Sequence, residues 1–362
     1  MAITTTSVIA GPVNVKFQVN LLRNAQANCP YFAGTVPASI GIHQGTFTAK
    51  WRRIENLSPT TTPLAELTGA MAFPTRTGSS PTVTDVTATV QKYGDFIYLN
   101  EEVDLINFTE QGAKLSQILG IQAGRSLNRL QRDVMEDNFT AVLSGVATTA
   151  TNVSGAATAS GFIKVNELAG VNNTLTRNDA LRFYSETNGS QNIGSTPIRE
   201  SFLALTHVDV TEHLRTLTGW NESITYGGQV QLMPNEVGHL GGIRFVESTE
   251  ATIDAGGGAS ATASATTFGK STSGRFDIYN TVIYGKEAVG SLGLDGNHVK
   301  EIYQAGDRLP AVQVIAHGRG SGGVADPLDE VSTAGWKAWH AGVILNSTWG
   351  RSYRHTVPWL TP

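Results

Sequence analysis

Residues 107–145 read NFTEQGAKLSQILGIQAGRSLNRLQRDVMEDNFTAVLSG, and no other stretch of the chain has so strong a helical periodicity. Asn107 followed by Glu110 has the pattern of a capping box, and Gly145 offers a C-terminal stop. The spacing predicts one helix over about 107–144, on the order of 50 Å long, the full width of an ordinary domain. Leu119, Ala123, Leu127, Leu130 and Val134 fall on one face of the projection, and Lys114, Arg125, Arg129 and Arg132 on the other. Ile118 and Ile121 sit on the basic side, so that face is more than a solvent face.

Outward from this helix the chain changes character. Residues 1–44 have low charge, short apolar runs and Gly11, Pro12, Pro30, Gly34 and Pro37, which reads as an extended arm. GTFTAKWRRI from Gly45 and DVTATVQKYGDFIYL from Asp85 alternate like strands, and between them lies a Pro/Thr-rich excursion. Together, residues 45–98 read as a projecting β-hairpin loop. A loop of this length with no helix of its own is functional or lies on a partner.

After the helix, residues 146–161 are low-complexity, and a short helix is expected around Asn178 to Glu186. SFLALTHVDVTEHLRTLTGW then reads as a buried strand running into a helix, and GGIRFVESTEA as a strand leading into the small-residue excursion 254–274. YNTVIYGKEAVGSLGL, AVQVIAH and GWKAWHAGVIL are the later strands. In the last of these both alternating sets are apolar, as in a strand covered on two faces, with His340 and Lys337 at its wetter end. Strands far apart in sequence around one very long helix indicate a mixed α+β architecture.

Composition limits what such a chain does. It has 362 residues, 40% hydrophobic but only 15% charged, so its surface relies on Thr, Ser, Asn and Gly and favours coverage by partners. A formal net charge of -4 argues against a protein whose main task is gripping phosphates. Cys29 is the one cysteine, which excludes an intrachain disulfide and a zinc cluster of the CxxC kind. The first residues lack a basic start and a long apolar run, so a secretory signal is not expected, and no apolar run reaches spanning length.

No constellation of catalytic, cofactor-binding or metal-ligating residues stands out. FGKST at 268–272 resembles the tail of a phosphate loop, but Ser264 stands where its first glycine belongs. In HVDVTEH, His207, Asp209, Glu212 and His213 are ligand types at close spacing. They read more simply as a helix start with Asp209 near the dipole. DPLDE at 326–330 reads as a turn, and a hydrolase built on Asp326, Asp329 and Glu330 would need a second set of convergent groups. Two charged sets remain. Arg125, Arg129 and Arg132 would face packaged nucleic acid, or form a solvated or intersubunit face with Arg129–Asp133 and Arg132–Glu136 as i, i+4 pairs. Lys50, Arg52, Arg53 and Glu66 would register the loop on a neighbouring subunit, or simply keep it soluble.

In the blocks TPLAEL (62–67), QKYGDFIYLNEEVD (91–104), LGIQAGRSLNRLQRDVM (119–135), LALTHVDVTEHLR (203–215), NEVGHLGGIRFVES (235–248), YGKEAVGSL (284–292) and DPLDEVSTAGWKAWHAGVILN (326–346), the chain resembles the major capsid proteins of tailed bacteriophages with the HK97 fold. More closely, these blocks look like the coat proteins of enquatrovirus-type phages. The resemblance implies an N-terminal arm (1–44), an extended loop overlapping the neighbouring subunit (45–98), a peripheral domain on a long spine helix (99–199 with 311–362) and an axial domain (200–310). It also implies pentamers and hexamers of an icosahedral head around double-stranded DNA, with no cofactor and no membrane. The implied partners are a scaffolding protein, a portal and possible cement proteins, with assembly in the bacterial host cytoplasm. The excursion at 254–274 departs from the family pattern. A secreted or surface β-rich adhesin or array protein is the alternative, and it requires an export signal.

Overall fold

The computed structural model describes residues 29–38, 47–55, 57–61, 63, 79–102, 111–156, 161–183, 200–225, 235–261, 269–292, 312–318, 320, 322, 327–328 and 330–358. Among them the fold is mixed α+β, with few helices and many strands. In chain order these are β1 (Val36–Pro37), β2 (Thr48–Ile54), β3 (Val83–Thr89), β4 (Gln91–Asn100), α1 (Gln111–Asn138), β5 (Thr140–Leu143), α2 (Val165–Arg177), β6 (Phe202–His207) and α3 (Val208–Arg215). There follow β7 (Asn221–Glu222), β8 (Glu236–Leu240), β9 (Ile243–Ser248), β10 (Ile253–Asp254), β11 (Ser271–Thr272), β12 (Arg275–Phe276) and β13 (Ile278–Tyr284). The last are β14 (Val289–Ser291), β15 (Val312–His317), β16 (Val331–His340), β17 (Gly342–Ile344) and β18 (Gly350–His355).

The central sheet runs β5-β18-β13-β6-β9-β8-β7, with β10 added to β13. Its middle strand, IYNTVIY, is buried at every position, because both faces of the sheet are covered. Alternation sends Tyr279 and Ile283 to one face, where they meet Leu168, Val171 and Leu175 of α2 and Val210 and Leu214 of α3. Val282 and Tyr284 point the other way, toward Tyr31 and toward Met135 and Phe139 around the C-terminal end of α1. Each large side chain fully buried this way contributes roughly 1.5–3 kcal/mol.

A second sheet, β15-β16-β4, lies under the first half of α1. Leu119, Ala123 and Leu127 pack on Ala334, Trp336 and Ala338, with Tyr93 and Ile97 beside them. One helix of 28 residues, about 42 Å long, is therefore held by one sheet along its middle and by another at its C-terminal end. Trp51 and Ala49 of the β2–β3 hairpin join Ala38, Val90, Leu292 and Ala341 in a fourth small core over the β1-β14-β17 sheet.

Several expectations change. α1 ends at Asn138, short of residue 144, because Thr140–Leu143 pair in parallel with Arg351–Arg354 at the edge of the central sheet. Gly145, at φ 74°, turns the chain after that strand instead of stopping the helix. The short helix lies at Val165–Arg177, upstream of 178–186. Its buried stripe is only Leu168, Val171 and Leu175, set among Asn, Thr and Gly with weak helix propensity, which hides it from a periodicity reading. Asn178 caps it, and Asp179 at φ 54° reverses the chain.

The alternating run from Asp85 is two strands. β3 pairs with β2, and past Val90 β4 pairs with β16, so residues 91–98 belong to the sheet beneath α1. β5 and β18 share the central sheet with β6 and β13, which joins segments that the sequence grouped apart. His340 is not at a wet strand end. It is 5% exposed between the rings of Phe32 and Tyr93, and burial pushes its pKa down to about 4. The arm before Cys29, the 64–78 excursion and residues 262–268 and 293–311 lie outside the described residues, as do Asn107 and Glu110.

Candidate functional site

The basic face of α1 is organised around a residue 118 or more positions away. Arg125 Nε donates to Glu250 Oε1 at 2.5 Å, and Arg129 Nε donates to Glu250 Oε2. Arg132 donates to the Glu250 carbonyl at 2.5 Å and to Asp133 at 2.6 Å. The i, i+4 pairs expected within the helix are thus replaced by a clamp onto the loop after β9. Two guanidiniums reach the same carboxylate because residues 125 and 129 are one helical turn apart. The Glu250 side chain is 4% exposed, whereas Arg125 and Arg129 remain 51% and 55% exposed. Burial alone would raise the Glu250 pKa, but the hydrogen bonds from Arg129 and Arg125 outweigh it and hold the carboxyl below its ordinary range.

The charged set on the hairpin is equally self-contained. Antiparallel register places Arg52 directly opposite Asp85. Asp85 accepts from Arg52 at 3.0 Å and from Lys50 at 2.6 Å, and these bonds push its pKa down to about 2. Arg53 donates to the carbonyl of Leu345 at 2.7 Å and to Glu55 at 2.5 Å. Glu66 lies outside the described residues. The structure therefore brings together Lys50 and Arg52 on one carboxylate, and Arg125, Arg129 and Arg132 around one loop. Asp85 was not identified from the sequence, because the long excursion between the two strands leaves their register open until they pair. Nothing local in the sequence points to Glu250.

The motifs set aside as scaffold have structural partners. Lys270 of FGKST donates to Asp209 at 2.6 Å, and Tyr279 donates to the same oxygen at 2.8 Å. His207 Nδ1 accepts from the backbone N–H of Asp209 and caps α3. His213 Nε2 lies 3.1 Å from the carbonyl of Ile163. Among the described residues no three His, Cys, Asp or Glu side chains converge as metal ligands, and no helix is long and apolar enough to cross a membrane.

No family model and no curated protein matches the chain. Among solved structures, it is similar to the capsid of cyanophage P-SCSP1u, with 14% identity over 89% of this chain and 91% of that one, at a TM-score of 0.50. It is also similar to the capsid of Ralstonia phage GP4, with 8% identity over 91% of this chain and 87% of that one, at a TM-score of 0.57. The likeness spans nearly the whole of each chain, and this chain has the fold of those capsid proteins.

Proposed function

We propose that this chain is the major capsid protein of a tailed bacteriophage, whose copies assemble into the pentamers and hexamers of an icosahedral head around double-stranded DNA. The observation that carries the reading is the likeness to two phage capsid chains over about nine tenths of this chain. The architecture agrees with it. A hairpin that buries only its base, and a long helix divided between two sheets, repay their ordering entropy best when neighbours cover them. Function then resides in interfaces, and the protein is not an enzyme. The alternative of a surface adhesin or array protein gains nothing from the fold.

In this reading the HK97 parts are the arm at 1–44, an extended loop shortened to 45–90 because β4 pairs with β16, a peripheral domain drawn from 91–199 with 311–362, and an axial domain at 200–310 whose sheet also takes in β5 and β18. The hairpin residues Lys50, Arg52 and Arg53, with Glu66, contact the neighbouring subunit through whatever hydrogen-bonding capacity Asp85, Glu55 and Leu345 leave them. Arg125 and Arg129, half exposed though clamped on Glu250, face the packaged DNA with Arg132 beside them. A scaffolding protein, a portal and possible cement proteins complete the head, assembled in the host cytoplasm and retained in the virion.

Negative-stain microscopy of the recombinant chain, with and without its scaffolding protein, tests the proposal. Capsomers, tubes or shells are the expected result. A clean monomer under every condition would overturn it.

A further inference from the structure

A groove of about 640 Å³ separates the base of the β2–β3 hairpin from the body, with Ile54 and Trp51 on one wall and Leu181, Asp179 and Glu287 on the other. Ile54 and Leu181 are 67% and 41% exposed. The cations of the hairpin wall are already matched: Lys50 and Arg52 share Asp85, and Arg53 is held by Glu55 and the carbonyl of Leu345. The acids of the body wall are not. Asp179 and Glu287 are exposed and make no ion pair among the described residues, and Lys286 does not line the groove. Their backbones sit at φ 54° and 64°, in the left-handed region that glycine adopts without strain and other residues rarely enter. Folding alone favours glycine at each position, so a carboxylate kept at both, on one groove, points to a partner beyond the copy that carries them. An apolar groove with two unmatched acids selects an apolar knob flanked by cations.

The chain carries such a knob on the β15-β16-β4 sheet. Because Tyr93, Ile97, Trp336 and Ala338 take the side under α1, strand alternation turns Lys92, Phe96, Tyr98 and Lys337 to the other. Phe96 and Tyr98 are 56% and 67% exposed and stand edge to face with ring centroids 5.0 Å apart, so they are not seated in the groove of their own copy. The positions of β4 and β16 that face this way carry two lysines and no carboxylate, and Asp95 lies on the helix side, where it accepts from Gln122. Two lysines neutralise too few phosphates to hold nucleic acid by themselves. We propose that the Phe96–Tyr98 face of one copy docks in the hairpin-base groove of a second, with the rings against Ile54 and Leu181, and Lys92 and Lys337 toward Asp179 and Glu287. Face and groove are different patches, so the contact is heterologous and repeats head to tail, closing a ring when the rotation allows. The inference rests on the reading of the chain as a self-assembling shell subunit, and it names the surfaces that do the assembling.

The lone cysteine makes a clean test possible, since Cys29 is buried. Leu181→Cys and Tyr98→Cys are prepared separately in the full chain, mixed under assembly conditions and oxidised mildly. The expected product is a mixed disulfide dimer at least about tenfold above the homodimers of either variant alone. It should weaken in 1 M salt, where the screening length is about 3 Å. Adding Asp179→Lys and Glu287→Lys to the groove partner should remove the mixed dimer, and adding Lys92→Glu and Lys337→Glu to the face partner should bring it back. Glu287→Gly should raise the melting temperature by relieving the backbone while lowering the mixed dimer roughly two- to fivefold, a split that a purely structural carboxylate would not show. Particles that form in normal yield with no excess of mixed disulfide would overturn the docking and leave the capsid reading standing. A loss that the face substitutions do not restore would mean that the groove takes a different partner, and would overturn the docking as well. A mixed disulfide without capsomers or shells would uphold the docking and remove the capsid reading, and the absence of both would sink the two together.

Discussion

The indole of Trp51 lies so close to Gly290 that a Cβ on residue 290 would come within 2.7 Å of its Nε1. The same Nε1 donates to the carbonyl of Val36 at 3.1 Å, and two residues on Arg53 donates to Leu345. The base of the projecting hairpin is therefore keyed to the body by one buried ring and one guanidinium.

A methyl group at residue 290 should dislodge that ring. Gly290→Ala is expected to cost about 1–3 kcal/mol by overpacking and to shift tryptophan emission to the red as Trp51 leaves its slot. Thermal melting and fluorescence read both effects. An unchanged melting point together with unchanged emission would contradict the fit described.

The clamp on Glu250 gives a second expectation. Glu250→Gln keeps the shape and removes the charge shared by Arg125 and Arg129. The loss should be about 1 kcal/mol, modest because both arginines are half exposed and screened. Since the folded-state pKa of Glu250 is depressed, its contribution is present above the ordinary glutamate range and lost as the pH falls through the lowered value. Urea melts at pH 7 and pH 3 should therefore differ less for the variant than for the native chain. The freed guanidiniums should also bind short duplex DNA more tightly, with a steeper salt dependence.

His340 predicts sensitivity to acid. Its pKa is about 4 in the folded chain against an ordinary 6.5, because burial penalises the cation. A His buried neutral stabilises the fold fully above the unfolded value, and that stability is lost as the pH falls from about 6.5 toward 4. The span corresponds to roughly 3 kcal/mol. His355, fully buried with a pKa of about 3, adds to the same limb. His340→Phe, set between Phe32 and Tyr93, should flatten the acid limb of a stability–pH curve. An identical limb in native and variant would refute the assignment.

The pair Arg244–Glu236 bridges β9 and β8 through two hydrogen bonds at 2.8 and 2.6 Å, with side chains 7% and 0% exposed. Removing one partner strands a buried charge. Arg244→Met or Glu236→Leu alone should each destabilise by about 3–5 kcal/mol, and the double variant by much less than their sum. Additivity in a double-mutant cycle would show that the two charges are not coupled.

What the sequence determined by itself is the local and repetitive part of this protein. The stripe Leu119, Ala123, Leu127 read as one face of a helix, SFLALTH as a buried strand and YNTVIY as a strand, because side-chain period is a property of neighbouring residues. Tertiary structure decided what depends on distant partners. α1 stops at Asn138 because the chain after it pairs with residues 351–354 of β18. Arg125 and Arg129 meet Glu250 because a loop more than 120 residues on returns beside the helix. His340 in GWKAWHAGVIL turns from a residue expected at a wetter strand end into a buried neutral ring because Phe32 and Tyr93 close over it. Alternation within a strand says which residues share a face, and only the packing of whole elements says which face stays wet.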